Sequence, residues 1–259
     1  MASDLINLMN LSPKELGEFF ESIGEKSFRS QQILRWIYQF GVTNFDEMTN
    51  LRKDLRAKLK ELCVITAPEI VTEQKASDGT TKWALDIGDG QLVETVLIPE
   101  EDRNTLCIST QVGCPVKCSF CRTGAQGFNR NLTVNEIIGQ VFRAATRVGF
   151  SNNQEQKPIS NVVMMGMGEP LLNLENVIKV CDLLLSDYAF ALSKRRVTVS
   201  TSGVAPVLNK IAGKVDVALE GNTLVNVSKT KDSTAISTAY TVKNSGNHIA
   251  LQGNIDGIC

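Results

Sequence analysis

The chain has 259 residues, 42% of them hydrophobic and 21% charged, with 27 basic against 28 acidic side chains and a net charge of −1. That is the balance of a folded globular protein; it excludes collagen-like, mucin-like and globally disordered chains and gives no whole-molecule attraction to nucleic acid. No apolar run nears the roughly 18 residues of a membrane span, and "MASDLINLMNLSPKELGEFF" lacks the basic start and apolar core of a signal peptide, so a cytoplasmic protein without membrane association is expected. In that reducing compartment the seven cysteines, at 63, 107, 114, 118, 121, 181 and 259, read as free thiols, metal ligands or redox catalysts rather than a disulfide framework.

Residues 1–66 read as a small helical domain. "SPKELGEFFESIG" opens with Ser12 at an N-cap position and Pro13 in the first turn, and stops at Gly24. "SFRSQQILRWIYQFG" sets Ile33, Leu34, Trp36, Ile37 and Phe40 along one side, while "NLRKDLRAKLKELC" repeats Leu51, Leu55, Leu59 and Leu62 at helical spacing. The same stretch carries Arg52, Lys53, Arg56, Lys58 and Lys60. Such a run is most often a solvated helix face; the alternative is a contact surface for RNA phosphates.

Over 67–103 the period changes. "EIVTEQK", "TKWALDI" and "LVETVLIP" are strand-like, and the Asp-Gly pairs between them suit tight hairpin turns, so a small antiparallel sheet is expected. From 104 to 219 strand and helix signals alternate. "NTLCIST" precedes a cysteine-rich loop, "TVNEIIGQVFRAATRVG" is a helix with Thr133 and Glu136 as a capping box, and "ISNVVMMG" is a buried strand. A helix "NLENVIKVCDLLLSD", a strand "RRVTVST", a short helix "APVLNKIAG" and a strand "VDVAL" follow, a βα rhythm that implies a parallel sheet with right-handed crossovers. That rhythm stops at Leu219; residues 221–259 contain no Arg, Glu, Pro or Phe, and 220–259 forms an atypical tail.

The loop "GCPVKCSFCRTG" places Cys114, Cys118 and Cys121 at C-x3-C-x2-C spacing. Three thiolates can hold three irons of a 4Fe-4S cluster and leave the fourth open to a small ligand. Zinc with Cys107 as a fourth sulfur is the competing reading, and three unligated buried thiols the plain one. Against zinc, Cys107 sits in an apolar strand-like segment, outside any paired CxxC spacing. A second motif, "MMGMGEP" at 164–170, follows a later strand; Gly166 and Gly168 would let a ligand approach the backbone, and Glu169 offers a carboxylate to a ligand amine.

With these motifs, and with "VETVLIPEEDRNTLCISTQVGCPVKCSFCRTGAQGFNRNLTVNEIIGQVFRA", "VVMMGMGEPLLN" and "VTVSTSGV", the sequence resembles the radical S-adenosylmethionine superfamily. More narrowly, it resembles the bacterial dual-specificity methyltransferases that act on C2 of an adenine in 23S rRNA and tRNA. The resemblance implies a partial (βα) radical-SAM barrel preceded by the helical RNA-binding domain and the antiparallel segment, an α/β fold. It implies that Cys114, Cys118 and Cys121 hold one 4Fe-4S cluster and that Gly168, Glu169 and Ser200 contact S-adenosylmethionine. It makes Glu94 the general base and Cys107 one of two redox-active cysteines, in a reaction that passes through a methylated cysteine and ends in a disulfide. Read from the residues alone, Glu94 is equally a solvent-facing strand carboxylate and Cys107 a buried strand cysteine. The family further implies 23S rRNA and tRNA as partners, an electron donor such as flavodoxin or ferredoxin, and a monomer.

Where that family continues with a Ser-Leu-His segment, this chain reads "EGNTLVNV". The methyl-carrying cysteine lies late in the family, and here only the terminal "NIDGIC" offers a candidate, Cys259. The single histidine, His248, reads as a surface residue. The expectation is a member truncated or altered after about Leu219, its methyl transfer impaired and its parallel sheet left with an open edge. Two alternatives stand beside it: a catalytically inactive RNA- or cofactor-binding remnant, and a relative directed to adenine C8.

Overall fold

A computed structural model of the protein describes residues 5–150, 157–204 and 217–221. The chain enters through a short strand β1 (Ile6–Asn7) and turns into helix α1 (Pro13–Ser22). Ser12 Oγ accepts from the Glu15 amide at 3.3 Å, and the Glu15 carboxylate accepts from the Ser12 amide at 2.9 Å. Pro13 fills the first helical position, where its missing N–H would have no helical partner anyway.

Helix α2 (Arg29–Tyr38) buries Ile33, Leu34 and Ile37, and α3 (Lys53–Leu62) buries Leu55 and Leu59. Phe40, expected on the α2 stripe, lies past the helix end and is 52% exposed, with Trp36 packed edge-on against its ring. Strand β2 (Cys63–Val64) then pairs in parallel with β1, Ile6 opposite Cys63, and closes the helical domain where it began. The basic residues of α3 are engaged within this domain: Arg52 pairs with Glu25 at 2.6 Å, Arg56 donates to the Asp46 carbonyl at 2.6 Å, Lys58 donates to the Ile23 carbonyl at 2.8 Å, and Lys60 pairs with Asp46. These internal bonds favour the reading of that stretch as a helix face over the one as a phosphate surface.

Strands β3 (Glu69–Lys75), β4 (Thr81–Asp86), β5 (Leu92–Glu100) and β6 (Arg103–Cys107) follow as antiparallel neighbours. A loop region holds β7 (Gln111–Gly113), the one-turn helix α4 (Arg122–Gln126) and β8 (Phe128–Asn131), with β7 and β8 paired in an antiparallel ribbon. Helix α5 (Val134–Val148), β9 (Asn161–Met164), α6 (Leu174–Leu185), β10 (Val197–Thr201) and β11 (Ala218–Gly221) complete the described residues. The order across the main sheet is β11-β10-β9-β6-β5-β4-β3, with β6, β9, β10 and β11 parallel.

The antiparallel strands expected over 67–103 do form, but not as a sheet of their own. Strand β6 pairs with β9 on one edge and β5 on the other, so hairpin and parallel strands make one seven-stranded mixed sheet. Pairing both edges of β6 satisfies donors and acceptors that a separate hairpin would leave open at that seam. The result is a partial barrel preceded by a helical domain. The helix expected over 205–213 and the tail with His248 and Cys259 lie outside the described residues.

One apolar core runs through both parts, from Leu8, Phe20 and Ile37 to Leu106, Val162, Ile137 and Leu184. Polar contacts fasten the join: Asn10 Oδ1 accepts from the Asn135 amide at 2.9 Å, Lys179 pairs with Glu15 at 2.6 Å, and Gln39 donates to the Asp187 carbonyl at 2.9 Å. The Tyr38 and Phe190 rings meet at 5.1 Å.

Candidate active site

Successive strand residues point to opposite faces, and residues paired across strands share a face. Glu94 lies two residues from Val96, Val96 pairs with Cys107, Cys107 with Val163, and Val163 with Thr198, two residues from Ser200. Glu94, Cys107 and Ser200 therefore occupy one face of the sheet. The other face carries Val93, Thr95, Leu97, Leu106, Val162 and Val199, all buried, and Thr95 reaches Gln140 of α5. Helices thus cover one side, and the three residues stand on the side the helices leave. Their exposure grades along it: Cys107 is 2% and Ser200 7% exposed, while the Glu94 side chain is 53% exposed and pairs with Lys82 at 3.0 Å.

The cysteine loop leaves β7 and returns through α4 to β8. Cys114 is buried and its amide donates to the Gly127 carbonyl at 2.9 Å; the Cys121 amide donates to the Cys118 carbonyl at 3.1 Å, folding the C-x2-C segment into a turn. Gly113 is required here. Its φ is +71°, and a Cβ would stand 1.7 Å from the Gly127 carbonyl oxygen. Burial pushes the Cys114 thiol up, the Val116 backbone counters this, and the nearby charges of Glu169, Cys118 and Cys121 raise it further. The last three bear on Cys114 because the loop and "GMGEP" lie close together.

Gly166 and Gly168 were expected to admit a ligand, and the structure gives a different reason for them. A Cβ on Gly166 would meet Ser109 Oγ at 2.7 Å and the Ile108 carbonyl at 2.8 Å; one on Gly168, whose φ is +106°, would meet the Gln111 amide nitrogen at 2.7 Å. The chain's own backbone makes the close approach, stitched by the amides of Gly166, Thr110 and Gln111 to carbonyls of Ile108 and Met167. Glu169 is 3% exposed, and its carboxylate already accepts from the Leu171 amide at 3.1 Å and from both the amide and the hydroxyl of Ser202 at 2.7 Å. It ties the end of β10 to the end of β9.

Sequence reasoning missed the polar cluster beneath these loops. Gln140 of α5 is fully buried and uses its whole amide: Oε1 accepts from Thr95 Oγ1 at 2.6 Å and the Ser109 amide at 2.8 Å, and Nε2 donates to the carbonyls of Ser109 at 2.9 Å and Glu136 at 3.0 Å. The Ser109 hydroxyl donates to the Glu94 carbonyl at 2.6 Å and accepts from the Met167 amide at 2.9 Å. One side chain so joins the strand bearing Glu94 to the loop bearing Gly168. The available signal was a glutamine on the apolar side of α5, between Ile137 and Val141.

An iron–sulfur cluster fits this loop by the chemistry of its donors. Cys114, Cys118 and Cys121 are free thiols, and thiolate sulfur is the ligand such clusters take. Among the described residues no group of three His, Cys, Asp or Glu side chains is gathered round a common metal position, so the fit rests on donor type and shared loop. The surface concavity at the β5–β6 turn, walled by Glu100, Glu101, Asp102, Arg103 and Arg196, contains none of the expected site residues. No helix among the described residues is long and apolar enough to cross a membrane.

A family model described as the ribosomal RNA large subunit methyltransferase N-terminal domain matches residues 6–65, and one described as the radical SAM superfamily matches 108–228. The first coincides with the helical domain closed by β1 and β2. The second takes in the three cysteines, "GMGEP" and Ser200, and Glu94 and Cys107 lie between the two matches. The chain is also similar to a solved structure, a radical SAM methyltransferase from Sphaerobacter thermophilus, at 39% identity and a TM-score of 0.73 over 83% of this chain and 63% of that one. The chain therefore spans less than two thirds of the length of that protein.

Proposed function

Because the chain belongs to the radical SAM superfamily and carries the N-terminal domain of the ribosomal RNA large subunit methyltransferases, we propose that it is an RNA methyltransferase acting on C2 of an adenine in 23S rRNA and tRNA. The observation that carries the reading is the single sheet face bearing Glu94, Cys107 and Ser200, with the cysteine loop and "GMGEP" at its rim. Adenine C2 is not nucleophilic, and S-adenosylmethionine at a 4Fe-4S cluster, when bound, supplies both a methyl group and a carbon radical able to act on such a carbon. Cys114, Cys118 and Cys121 would hold that cluster. Gly168, Glu169 and Ser200 would bind S-adenosylmethionine, and an electron donor such as flavodoxin or ferredoxin would serve it.

Glu94 takes the proton from C2 onto a carboxylate oxygen. Its 53% side-chain exposure leaves that oxygen open to a substrate approaching the uncovered face, and its backbone is fixed by Ser109. Cys107 supplies one sulfur of the disulfide that frees the RNA, its own protein-bound partner sulfur giving up the methylated base. Cys63 and Cys181 are not suited to be that partner. Both are buried in the core, where desolvation pushes each thiol up to about 12. The remaining cysteine of the chain is Cys259, outside the described residues.

The test is anaerobic reconstitution with iron and sulfide, followed by incubation with S-adenosylmethionine, reductant and 23S rRNA or tRNA transcripts. Appearance of 5′-deoxyadenosine together with 2-methyladenosine supports the proposal, and 8-methyladenosine would move it to the C8-directed relative. Salt-dependent RNA binding that survives loss of all three loop cysteines, with neither product formed, would replace it with the inactive binding remnant.

A further inference from the structure

Lys82 is the feature of the uncovered face that the reaction above does not use. It lies on β4, where Lys82 pairs with Val96 and Ala84 with Glu94, so Lys82 and Glu94 are diagonal neighbours on one face, within reach of long side chains. Lys82 Nζ stands 3.0 Å from Glu94 Oε1, a distance at which the ammonium donates a hydrogen bond. The Glu94 main chain is already held, its carbonyl accepting from Ser109 Oγ at 2.6 Å. The carboxylate is then the one part of Glu94 still free to turn, and Lys82 is the group that turns it.

We propose that Lys82 is a positioning residue for Glu94: it holds the carboxylate ionised and fixes one oxygen, leaving the other to meet substrate. This rests on the reading of Glu94 as the base. Other titratable groups on this face do not fill the role. Asp86 of β4 carries the wrong sign, and its Oδ1 accepts from the Gly88 amide at 2.8 Å; Cys107 of β6 is a buried thiol; β3 presents Thr72 and Gln74, which carry no charge. Both partners are about half exposed, with side-chain exposures of 43% and 53%, so the bond adds little to folding and its substitution should leave the fold intact.

Carboxyl titration by NMR on 13C-glutamate-labelled full-length protein, with Glu94 assigned by its loss in Glu94→Gln, reads the pairing without requiring turnover. In Lys82→Met the Glu94 titration should move up by about 0.2 to 0.7 pH unit, the size an exposed pair yields, and Lys82→Arg should restore it. The acid limb of the pH profile of 2-methyladenosine formation should move the same way, with KM for RNA unchanged. An unaltered Glu94 titration in Lys82→Met overturns the proposal. A shifted titration in a protein whose Glu94→Gln variant still methylates RNA leaves the ion pair standing and removes Glu94 as the base, so the two failures are told apart.

Discussion

At the scale of single residues, the "GMGEP" loop leaves little room for substitution. Gly168→Ala places a Cβ 2.7 Å from the Gln111 amide nitrogen at a φ of +106°. The strain of that backbone and the overlap together should cost about 2 to 4 kcal/mol, read as a lowered denaturant midpoint. Glu169→Gln is subtler. An amide can keep one oxygen towards the two Ser202 donors but then sets its NH2 against the Leu171 amide, now 3.1 Å from the carboxylate. A loss of about 1 to 3 kcal/mol is expected, the cost of a buried donor left without an acceptor. Both glycines and the glutamate were legible as a functional motif. That their neighbours would be Ser109, Gln111 and Ser202 was not, because those contacts join residues more than thirty positions apart and leave no local pattern.

Among elements, helix α5 and the sheet show where local period is a sufficient guide and where it is not. Strands β3 to β5 lie where alternation and Asp-Gly turns put them, and α5 begins where Thr133 and Glu136 mark it, the Glu136 carboxylate accepting from the Thr133 amide at 2.8 Å. Sheet order is another matter. Whether β5 ends a hairpin sheet or pairs with β6 depends on which edges remain open after long-range folding, and period carries no such information. Gln140 was passed over for a related reason: a polar residue in an amphipathic helix is usually solvated, whereas this one is the bracket between α5 and the tip of β6. Gln140→Leu should leave the Thr95 hydroxyl and the Ser109 amide and carbonyl unpaired, and lower stability by about 3 kcal/mol at unchanged m-value. By contrast, Lys60→Ala on α3, a surface pair with Asp46, should cost less than about 1 kcal/mol.

For the whole molecule, the shared core and the bonds across the join predict that helical domain and partial barrel unfold together. Trp36 reports the first and Trp83 the second, so fluorescence midpoints of Trp36→Phe and Trp83→Phe should each coincide with the far-UV circular dichroism midpoint of the same variant. Stability should also fall at high pH. Burial raises the Cys181 thiol to about 12, above its unfolded value near 8.5, so the unfolded chain releases the proton first and stability is lost as pH rises between those values; Cys181→Ala should flatten that decline. The central claim concerns the loop of Cys114, Cys118 and Cys121, and electron paramagnetic resonance of the anaerobically reconstituted, reduced protein tests it most directly. The account predicts the signal of a reduced 4Fe-4S cluster, about four irons per chain, a change in that signal when S-adenosylmethionine is added, and loss of both in the triple cysteine-to-alanine variant. Bound zinc without iron, or a cluster signal indifferent to S-adenosylmethionine, would contradict it.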